Sequence, residues 1–260
     1  MINALVNITR HITGRYLFKK RLPRRFGNGL IYVTTRSDIR LMVPGWSRSA
    51  ADLVRVVDHY VQPGQVVWDI GSNLGILSFC AALRCGKAGR VYSLEADPRY
   101  ADIQARSVMK FPAEAARVDV LCAAVADQIG LLELLIPKKG HARNHLTVVS
   151  GNAAGEAENF KPVITVDLDW LLDRWMKPDF IKIDVEGAEV LAIQGAERLF
   201  REVRPIGYIE CAKENRTAMT SFFKKWDYEL FALGSDGVEV PLEEFAFNTI
   251  VKPKNRLMQE

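Results

Sequence analysis

The stretch VVWDIGSNLGILS, residues 66–78, decides which fold this chain adopts. Its apolar run stops at Asp69, glycines follow at Gly71 and Gly75, and a new apolar helical pattern then begins. Because glycine carries no Cβ, such a loop can turn tightly and let a ligand touch the backbone. In an open α/β sheet, ligands bind beyond the carboxyl ends of the strands. The stretch therefore predicts a buried strand, a ligand-binding loop and a helix.

Strands and helices alternate from this loop to the C-terminal end of the sequence. Strands are predicted at VVWDI, RVYSLEA, RVDVLCAAVAD, DFIKIDV, RPIGYIEC, YELFAL and FAFNTIVKP. Helices are predicted at ILSFCAALR, DPRYADIQARSVMKF, GAEVLAIQGAERLFREV and TAMTSFFKKW, and Asp97 and Pro98 are placed to start the second of these. The pattern predicts an α/β fold with a mostly parallel, seven-stranded sheet and helices on both faces. Residues 129–167 should form a hairpin-like excursion with a short helix, and residues 30–43 a small strand pair.

Composition and charge divide the chain into two regions. The 260 residues are 48% hydrophobic and 25% charged, which is typical of a soluble globular protein. Eight basic residues and no acidic residue precede Asp38, whereas residues 38–260 carry 27 basic and 31 acidic residues. We therefore expect a basic extension over residues 1–55 and a domain over residues 56–260. The four cysteines lack metal-type CxxC spacing and are predicted to be reduced, buried thiols of a cytoplasmic protein.

The N-terminal segment has the pattern of a basic amphipathic helix. Ile2, Leu5, Ile8 and Ile12 recur at helical spacing, with Arg10 off that stripe. Such a helix can lie on an anionic membrane surface, cap the domain, pair in a homodimer or serve as an organellar transit peptide. The sequence leaves these alternatives open.

The loop spacing bears on the cofactor. RVYSLEA ends near Glu95, whose carboxylate can accept two hydrogen bonds from a ribose diol. A nicotinamide dinucleotide site needs G-x-G-x-x-G, and residues 71–76 read G-S-N-L-G-I. The D-x-G-x-x-x-G spacing from Asp69 to Gly75 is instead that of S-adenosylmethionine-dependent methyltransferases.

Five stretches together resemble one family, the FkbM-type S-adenosylmethionine-dependent methyltransferases. They are VVWDIGSNLGILS, VYSLEADP, CAAVADQIGLLEL, IKIDVEGAEVLAIQGAERLF and YIEC, and the resemblance spans roughly residues 60–251. It implies a Rossmann-like class I methyltransferase fold. It also implies a set of cofactor-binding residues: Asp69, Gly71, Asn73, Gly75, Glu95, Ala124, Val125, Asp127 and Asp184. In this set Glu95 would hold the ribose, residues 124–127 would flank the adenine, and Asp184 would face the sulfonium and the acceptor.

Members of this family generally methylate hydroxyl groups of sugars, polyketides and similar metabolites. A hydroxyl is a poor nucleophile at neutral pH, so a general base should assist in-line transfer. The candidates for this base are Asp184, Glu186, His145 and Glu210. Each candidate has an alternative, structural role; Glu186, for example, could cap the following helix. Glu189, three residues further along, is expected to be structural. The carboxylates could also gather around Mg²⁺, but no spacing fixes a ligand geometry, so no metal is assigned.

The predicted function is therefore O-methylation of a sugar, glycan or secondary metabolite. The excursion over residues 129–167 and the N-terminal segment should build the acceptor pocket, and Arg143, Asn144, His145 and Trp170 are polar or aromatic enough to bind a sugar. A lipid-linked saccharide at the membrane surface is compatible with the basic N-terminus. Two other functions remain as alternatives: a nucleic-acid methyltransferase, although no Asn/Asp-Pro-Pro-aromatic or Pro-Cys motif occurs, and a non-catalytic scaffold.

Overall fold

The computed structural model describes residues 16–35, 37, 47–137, 145–147 and 157–254. The amphipathic helix expected within residues 2–12 lies outside these residues. The loop residues Arg143 and Asn144 also lie outside them.

The described elements alternate between strand and helix along most of the chain. The strands are β1 (Phe18–Arg21), β2 (Leu30–Val33), β3 (Val66–Ile70), β4 (Arg90–Glu95), β5 (Arg117–Cys122), β6 (Ala124–Val125), β7 (Gly130–Pro137), β8 (His145–Thr147), β9 (Ala157–Val166), β10 (Phe180–Ile183), β11 (Ile206–Glu210), β12 (Tyr228–Leu233), β13 (Glu239–Leu242) and β14 (Asn248–Pro253). The helices are α1 (Arg48–Tyr60), α2 (Ile76–Cys85), α3 (Pro98–Val108), α4 (Leu168–Leu172), α5 (Glu189–Gln194) and α6 (Arg216–Lys225). None of these described helices is both long enough and apolar enough to cross a membrane.

The central sheet has the strand order β13-β12-β14-β11-β10-β3-β4-β5. Strands β5, β4, β3, β10 and β11 are parallel, and β14, β12 and β13 continue the sheet through antiparallel pairings. The predicted α/β, Rossmann-like architecture is confirmed. Among the described residues the sheet has eight strands rather than the expected seven, because Glu239–Leu242 adds β13 at one edge. Pro241 fits there because an edge strand leaves one row of backbone groups unpaired.

Different helices cover the two faces of the sheet. Successive residues of β3 point to opposite faces: Val67 joins the core formed with α1, α2 and α3, whereas Trp68 and Ile70 join the core formed with α4, α5 and α6. The same alternation in β10 places Phe180 on the first face and Ile181 on the second. Asp69 and Lys182 therefore share the face covered by α2.

The strand pair expected within residues 30–43 lies only partly within the described residues. Strand β2 is present, but its antiparallel partner β1 precedes it in the chain. The hairpin is part of the core, because Leu22 and Ile31 are buried against the α1–α3 face. Helix α1, whose Val57 is buried in the same core, spans the boundary predicted at residues 55 and 56.

The excursion between β5 and α4 is a separate sheet with the order β6-β9-β7-β8. Strands β7 and β9 pair antiparallel over most of their length, as the hairpin-like prediction requires. The stretch predicted as one third strand, residues 117–127, divides at Ala123 into β5 and β6, which belong to different sheets. The parallel pairing of β6 with β9 connects the excursion to the carboxyl end of β5.

The long helix expected from GAEVLAIQGAERLFREV is interrupted. Helix α5 ends at Gln194, and a π-helical turn, Leu199–Val203, follows a break at Gly195. The Gly195 carbonyl accepts a hydrogen bond from Asp169 N at 2.8 Å, and the Asp169 carboxylate accepts from Arg198 N and Leu199 N. One helix cannot continue through these contacts, so the prediction of a single strong helix is wrong.

Three of the four cysteines are buried and all four are free thiols. Cys122 is exposed, contrary to the expectation that all four would be buried. It is the last residue of β5, which lies at the edge of the central sheet. In this sheet β5 has a neighbouring strand on one side only, so Cys122 is more exposed than its apolar sequence neighbours predict.

Candidate cofactor and methyl-transfer site

The loop after β3 is fixed at both ends by buried polar contacts. Asp69 lies within β3, and its Oδ2 accepts hydrogen bonds from Ser78 N at 3.0 Å and Ser78 Oγ at 2.5 Å. Because Ser78 lies in the first turn of α2, these bonds join the strand before the loop to the helix after it. Across the sheet, the backbone N–H groups of Gly71 and Ser72 both donate to Leu94 O in β4.

The two glycines are required by the packing of this loop. Gly71 has φ +73°, and a Cβ there would lie 1.8 Å from the carbonyl oxygen of Asp184. Gly75 has φ +74°, and a Cβ there would lie 2.8 Å from the ring of Phe79 and 3.0 Å from Gln104 Oε1. The sequence pattern predicts that both glycines allow close approach of a ligand. The structure instead shows that neighbouring protein atoms occupy the space of both side chains.

Gln104 is a supporting residue that the sequence argument missed. It is fully buried in α3, and its Nε2 donates to Ser72 Oγ and to Asn73 O, both at 2.7 Å. Asn73 has φ +54°, which is a left-handed conformation that asparagine tolerates better than most residues. The available signal was a long polar side chain beside the apolar residues Ala101 and Ile103 on the buried face of the helix.

Glu95, at the end of β4, is 7% exposed and accepts two backbone hydrogen bonds. Its Oε2 accepts from Asn73 N at 2.7 Å, and its Oε1 accepts from Asp97 N at 2.8 Å. Burial raises the pKa of Glu95 to about 7, although both backbone bonds oppose this shift. A carboxylate has about four acceptor positions, so two remain for a ligand.

A pocket enclosing about 610 Å³ of space, including its open mouth, lies at the carboxyl ends of β3, β4 and β10. Its lining residues are Gly71, Asn73, Leu94, Glu95, Ala96, Tyr100, Ala123, Ala124, Val125, Leu134, Asp184, Val185 and Glu186. Among the residues predicted to bind the cofactor, Asp69 and Gly75 lie behind this wall, and Asp127 is exposed outside it.

Three carboxylates form a cluster at the acidic end of the pocket, where Asp184 and Glu186 line the wall and Glu210 lies next to them without lining it. Oxygen atoms of Asp184, Glu186 and Glu210 lie within 4.8 Å of one another. Burial, followed by the nearby carboxylate of Asp184, raises the pKa of Glu210 to about 8. Glu186 has φ +47°, an uncommon conformation for a residue other than glycine. Acidic side chains so close together can share a proton or a cation.

Glu189 does not belong to this cluster. Its Oε1 accepts from Gly187 N at 2.8 Å, and its Oε2 accepts from Asn215 Nδ2 at 2.6 Å. These bonds connect the turn before α5 to the segment before α6, which agrees with the structural role expected for Glu189.

Lys182 is a second site residue that sequence reasoning missed. It is 2% exposed in the middle of the sheet, and its Nζ lies 2.6 Å from Gly71 O, 3.2 Å from Asp184 Oδ2 and 3.5 Å from Asp69 Oδ1. Burial alone would lower the pKa of Lys182, but the carboxylates of Asp184 and Asp69 raise it. The available signal was a single lysine inside the apolar strand FIKI, two residues before Asp184.

The structure describes two of the residues expected at the acceptor pocket, His145 and Trp170, to different extents. His145 lies in β8, opposite Leu135 of β7, but its side chain is outside the described residues. Trp170 lies on α4, where Arg174 stacks on its ring with 3.8 Å to the centroid, and it does not line the pocket.

With this geometry in place, comparison with known proteins identifies the family. The model of the methyltransferase FkbM domain matches residues 69–236, which is more than half of the chain. The chain belongs to the FkbM methyltransferase family. The matched range contains the glycine loop, Glu95 and all three clustered carboxylates. None of the curated proteins compared with the sequence matches it.

The chain is similar to several solved structures. An FkbM methyltransferase from Methylobacillus flagellatus KT is 14% identical with a TM-score of 0.50, and the match covers 96% of this chain and 59% of that chain. A precorrin-6y C5,15-methyltransferase from Geobacter metallireducens GS-15 is 16% identical with a TM-score of 0.44, over 78% of this chain and 84% of that chain. An M. jannaschii tRNA m1G37 methyltransferase is 11% identical with a TM-score of 0.48, over 92% of this chain and 57% of that chain. At these identities the likeness concerns the fold alone.

Proposed function

We propose that this FkbM-family methyltransferase transfers a methyl group from S-adenosylmethionine to a hydroxyl of a sugar, glycan or secondary metabolite. One observation carries the proposal: a single pocket connects the buried Glu95 carboxylate to the carboxylates of Asp184 and Glu186. Its two ends match the two chemically distinct halves of this cofactor, a ribose diol and a positively charged methionine part.

The residues present fit the cofactor. Glu95 retains two acceptor positions for a ribose diol after its two backbone hydrogen bonds. Ala124, Val125 and Leu134 are buried apolar residues that can flank an adenine ring. At the other end, Asp184 offers negative charge to the amino group and the sulfonium. When bound, the cofactor supplies an activated methyl group, and the protein needs mainly to position the acceptor.

Glu210 is the preferred general base among the four candidates. A base works best when its pKa is near the operating pH, and burial raises the pKa of Glu210 to about 8. Asp184 lies beside it and is paired with Lys182, so Asp184 can orient an acceptor hydroxyl while Glu210 takes its proton. Glu186 lines the pocket and can hydrogen-bond a second hydroxyl of the same acceptor.

The choice of acceptor follows from the same carboxylates. Carboxylates bind hydroxyl groups well through hydrogen bonds, whereas a phosphate or carboxylate on the acceptor would be repelled. A neutral polyhydroxylated acceptor is therefore favoured over an anionic one. His145, with the excursion that carries it, would complete the acceptor side.

The test is transfer of a labelled methyl group from S-adenosylmethionine to separate pools of neutral sugars, acidic sugars, polyketides and nucleic acid. The proposal predicts label in a hydroxyl-bearing small molecule, and strong loss of transfer in Glu210→Gln. The same substitution at Glu239, which pairs with Lys252 outside the pocket, is the matched control. Label in nucleic acid would favour the nucleic-acid alternative, and cofactor binding without any transfer would favour a scaffold.

A further inference from the structure

Lys182 occupies an unusual position for a cation. It lies in β10, which pairs with a parallel strand on each side, β3 and β11. The register sets it directly opposite Asp69 in β3 and Tyr208 in β11. A buried lysine in such a place requires compensating partners, because an isolated charge is very costly away from water.

Those partners come from three functional parts of the site. Its ammonium group has three donors. It bonds the carbonyl of Gly71 in the cofactor loop, pairs with Asp184 at the acidic end of the pocket, and approaches Asp69 beneath the loop. Asp69 Oδ1 accepts no hydrogen bond within the described part of the chain, so the charge of Lys182 is its compensation.

The geometry points to Lys182 as a positioning residue that joins the cofactor loop to the acceptor-side carboxylates. The inference rests on the proposed function. Through Gly71 O, Lys182 sets the depth of the loop against β10, and through Asp184 it supplies positive charge to the acidic end of the pocket. Without it, the carboxylate cluster would retain protons to higher pH and the loop would lose its anchor.

The groups that share this electrostatic environment come from all elements packed around Lys182. They are Asp52 and Arg55 of α1, Asp69 of β3, Glu95 of β4, Asp184 and Glu186 after β10, Glu189 of α5, and Tyr208 and Glu210 of β11. Because several carboxylates contribute, the readout must report the charge at the acidic end of the pocket rather than the total charge of the site.

Two cofactor forms provide this readout. S-adenosylmethionine carries a positive sulfonium and S-adenosylhomocysteine carries a neutral sulfur, so the ratio of their affinities reports the charge near the sulfur. We would measure both affinities by calorimetry over a pH series, with a chelator present, for the wild type and Lys182→Met. Lys252→Met, which removes a surface partner of Glu239, is the matched control.

The inference predicts two effects in Lys182→Met. Both ligands bind about 10-fold more weakly, because the loop loses its anchor. In addition, the preference for the sulfonium form disappears as the pH is lowered and the carboxylates become protonated. In the variant this loss occurs at a pH roughly one to three units higher than in the wild type. Equal weakening of both ligands with no movement of this pH would show a merely structural role and overturn the inference.

A second variant guards against misfolding. If Lys182→Met does not fold, Lys182→Met/Asp69→Asn removes the carboxylate that would be left buried and unpaired, and the same pH shift is expected. A wild type that binds neither cofactor form would overturn the proposed function, and this inference with it. A wild type that binds both, beside a variant whose pH dependence is unchanged, would overturn the positioning role alone.

Discussion

Replacement of Glu95 by Gln should weaken cofactor binding while leaving the fold intact. Gln has nearly the shape of Glu but carries no charge and replaces one carboxylate oxygen by an amide NH₂. The wild-type carboxylate accepts from Asn73 N and Asp97 N and retains two further acceptor positions. The single amide oxygen of Gln cannot accept on both sides as the two carboxylate oxygens do, so the variant loses an acceptor for the ribose diol.

The size of the effect follows from these hydrogen bonds. A hydrogen bond to a charged group contributes about 1.5–3 kcal/mol. Losing one such bond to the diol should weaken S-adenosylhomocysteine binding by about 10- to 100-fold. Glu95→Ala loses both diol bonds and should weaken binding by on the order of 10²–10⁴-fold.

The pH dependence gives an independent signature. Burial raises the pKa of Glu95 to about 7, and a diol is bound by the ionised form. Cofactor affinity should therefore rise with pH up to about 7 and level off above it. Glu95→Gln has no proton to lose, so this rise should disappear in the variant.

The assay is calorimetric titration with S-adenosylhomocysteine across a pH series, with Glu239→Gln as the matched control outside the pocket. Thermal unfolding of each variant verifies that the fold is retained. Wild-type affinity in Glu95→Gln, or a rise in affinity near pH 7 that persists there, would refute the assignment of Glu95 to the ribose.

Three further predictions concern stability. Burial and Asp184 raise the pKa of Glu210 to about 8, above its ordinary 4.5, so the folded protein loses stability as pH rises between these values. In urea unfolding, the free energy of unfolding of Glu210→Gln should therefore exceed that of the wild type by about 1–3 kcal/mol above pH 8, and the two should be equal below pH 4.5. Gly71→Ala should lower the free energy of unfolding by more than about 2 kcal/mol in the same assay, because the alanine Cβ would overlap the Asp184 carbonyl. Asp169→Ala should cost about 1–2 kcal/mol, because Arg198 N and Leu199 N lose their acceptor, with cofactor affinity unchanged.

Each of these has a contradicting result. A stability difference between Glu210→Gln and the wild type that stays constant with pH would show that Glu210 keeps an ordinary pKa. Unchanged stability in Gly71→Ala would mean that the loop can move away from β10. Weaker cofactor binding in Asp169→Ala would connect the helix break to the pocket.

The parts of this fold that local sequence determines could be predicted. The VVWDIGSNLGILS stretch indicates its strand, loop and helix by an apolar pattern interrupted at Gly71. Asp97 starts α3 as expected, because its side chain accepts from Arg99 N and Pro98 occupies the first turn. Glu95 lies at the end of β4 for the same local reason, and it lines the pocket as the resemblance implied.

Contacts between distant segments could not be predicted in the same way. The pairing of Lys182 with Asp69 depends on the register of β10 against β3, which no local pattern gives. The break at Gly195 depends on a hydrogen bond from Asp169, and Gln104 acquires its role only when α3 packs beneath the glycine loop. In each case a neighbouring element decides what the polar residue does, and at Gly195 it also interrupts the predicted helix.

The most direct test of the account is a crystal structure of the protein with S-adenosylhomocysteine. The account predicts ribose hydroxyls within hydrogen-bonding distance of both Glu95 oxygens, adenine against Val125 and Leu134, and the sulfur facing Asp184. A ligand bound elsewhere, or in this pocket with its ribose away from Glu95, would contradict the central claim that this pocket is the cofactor site.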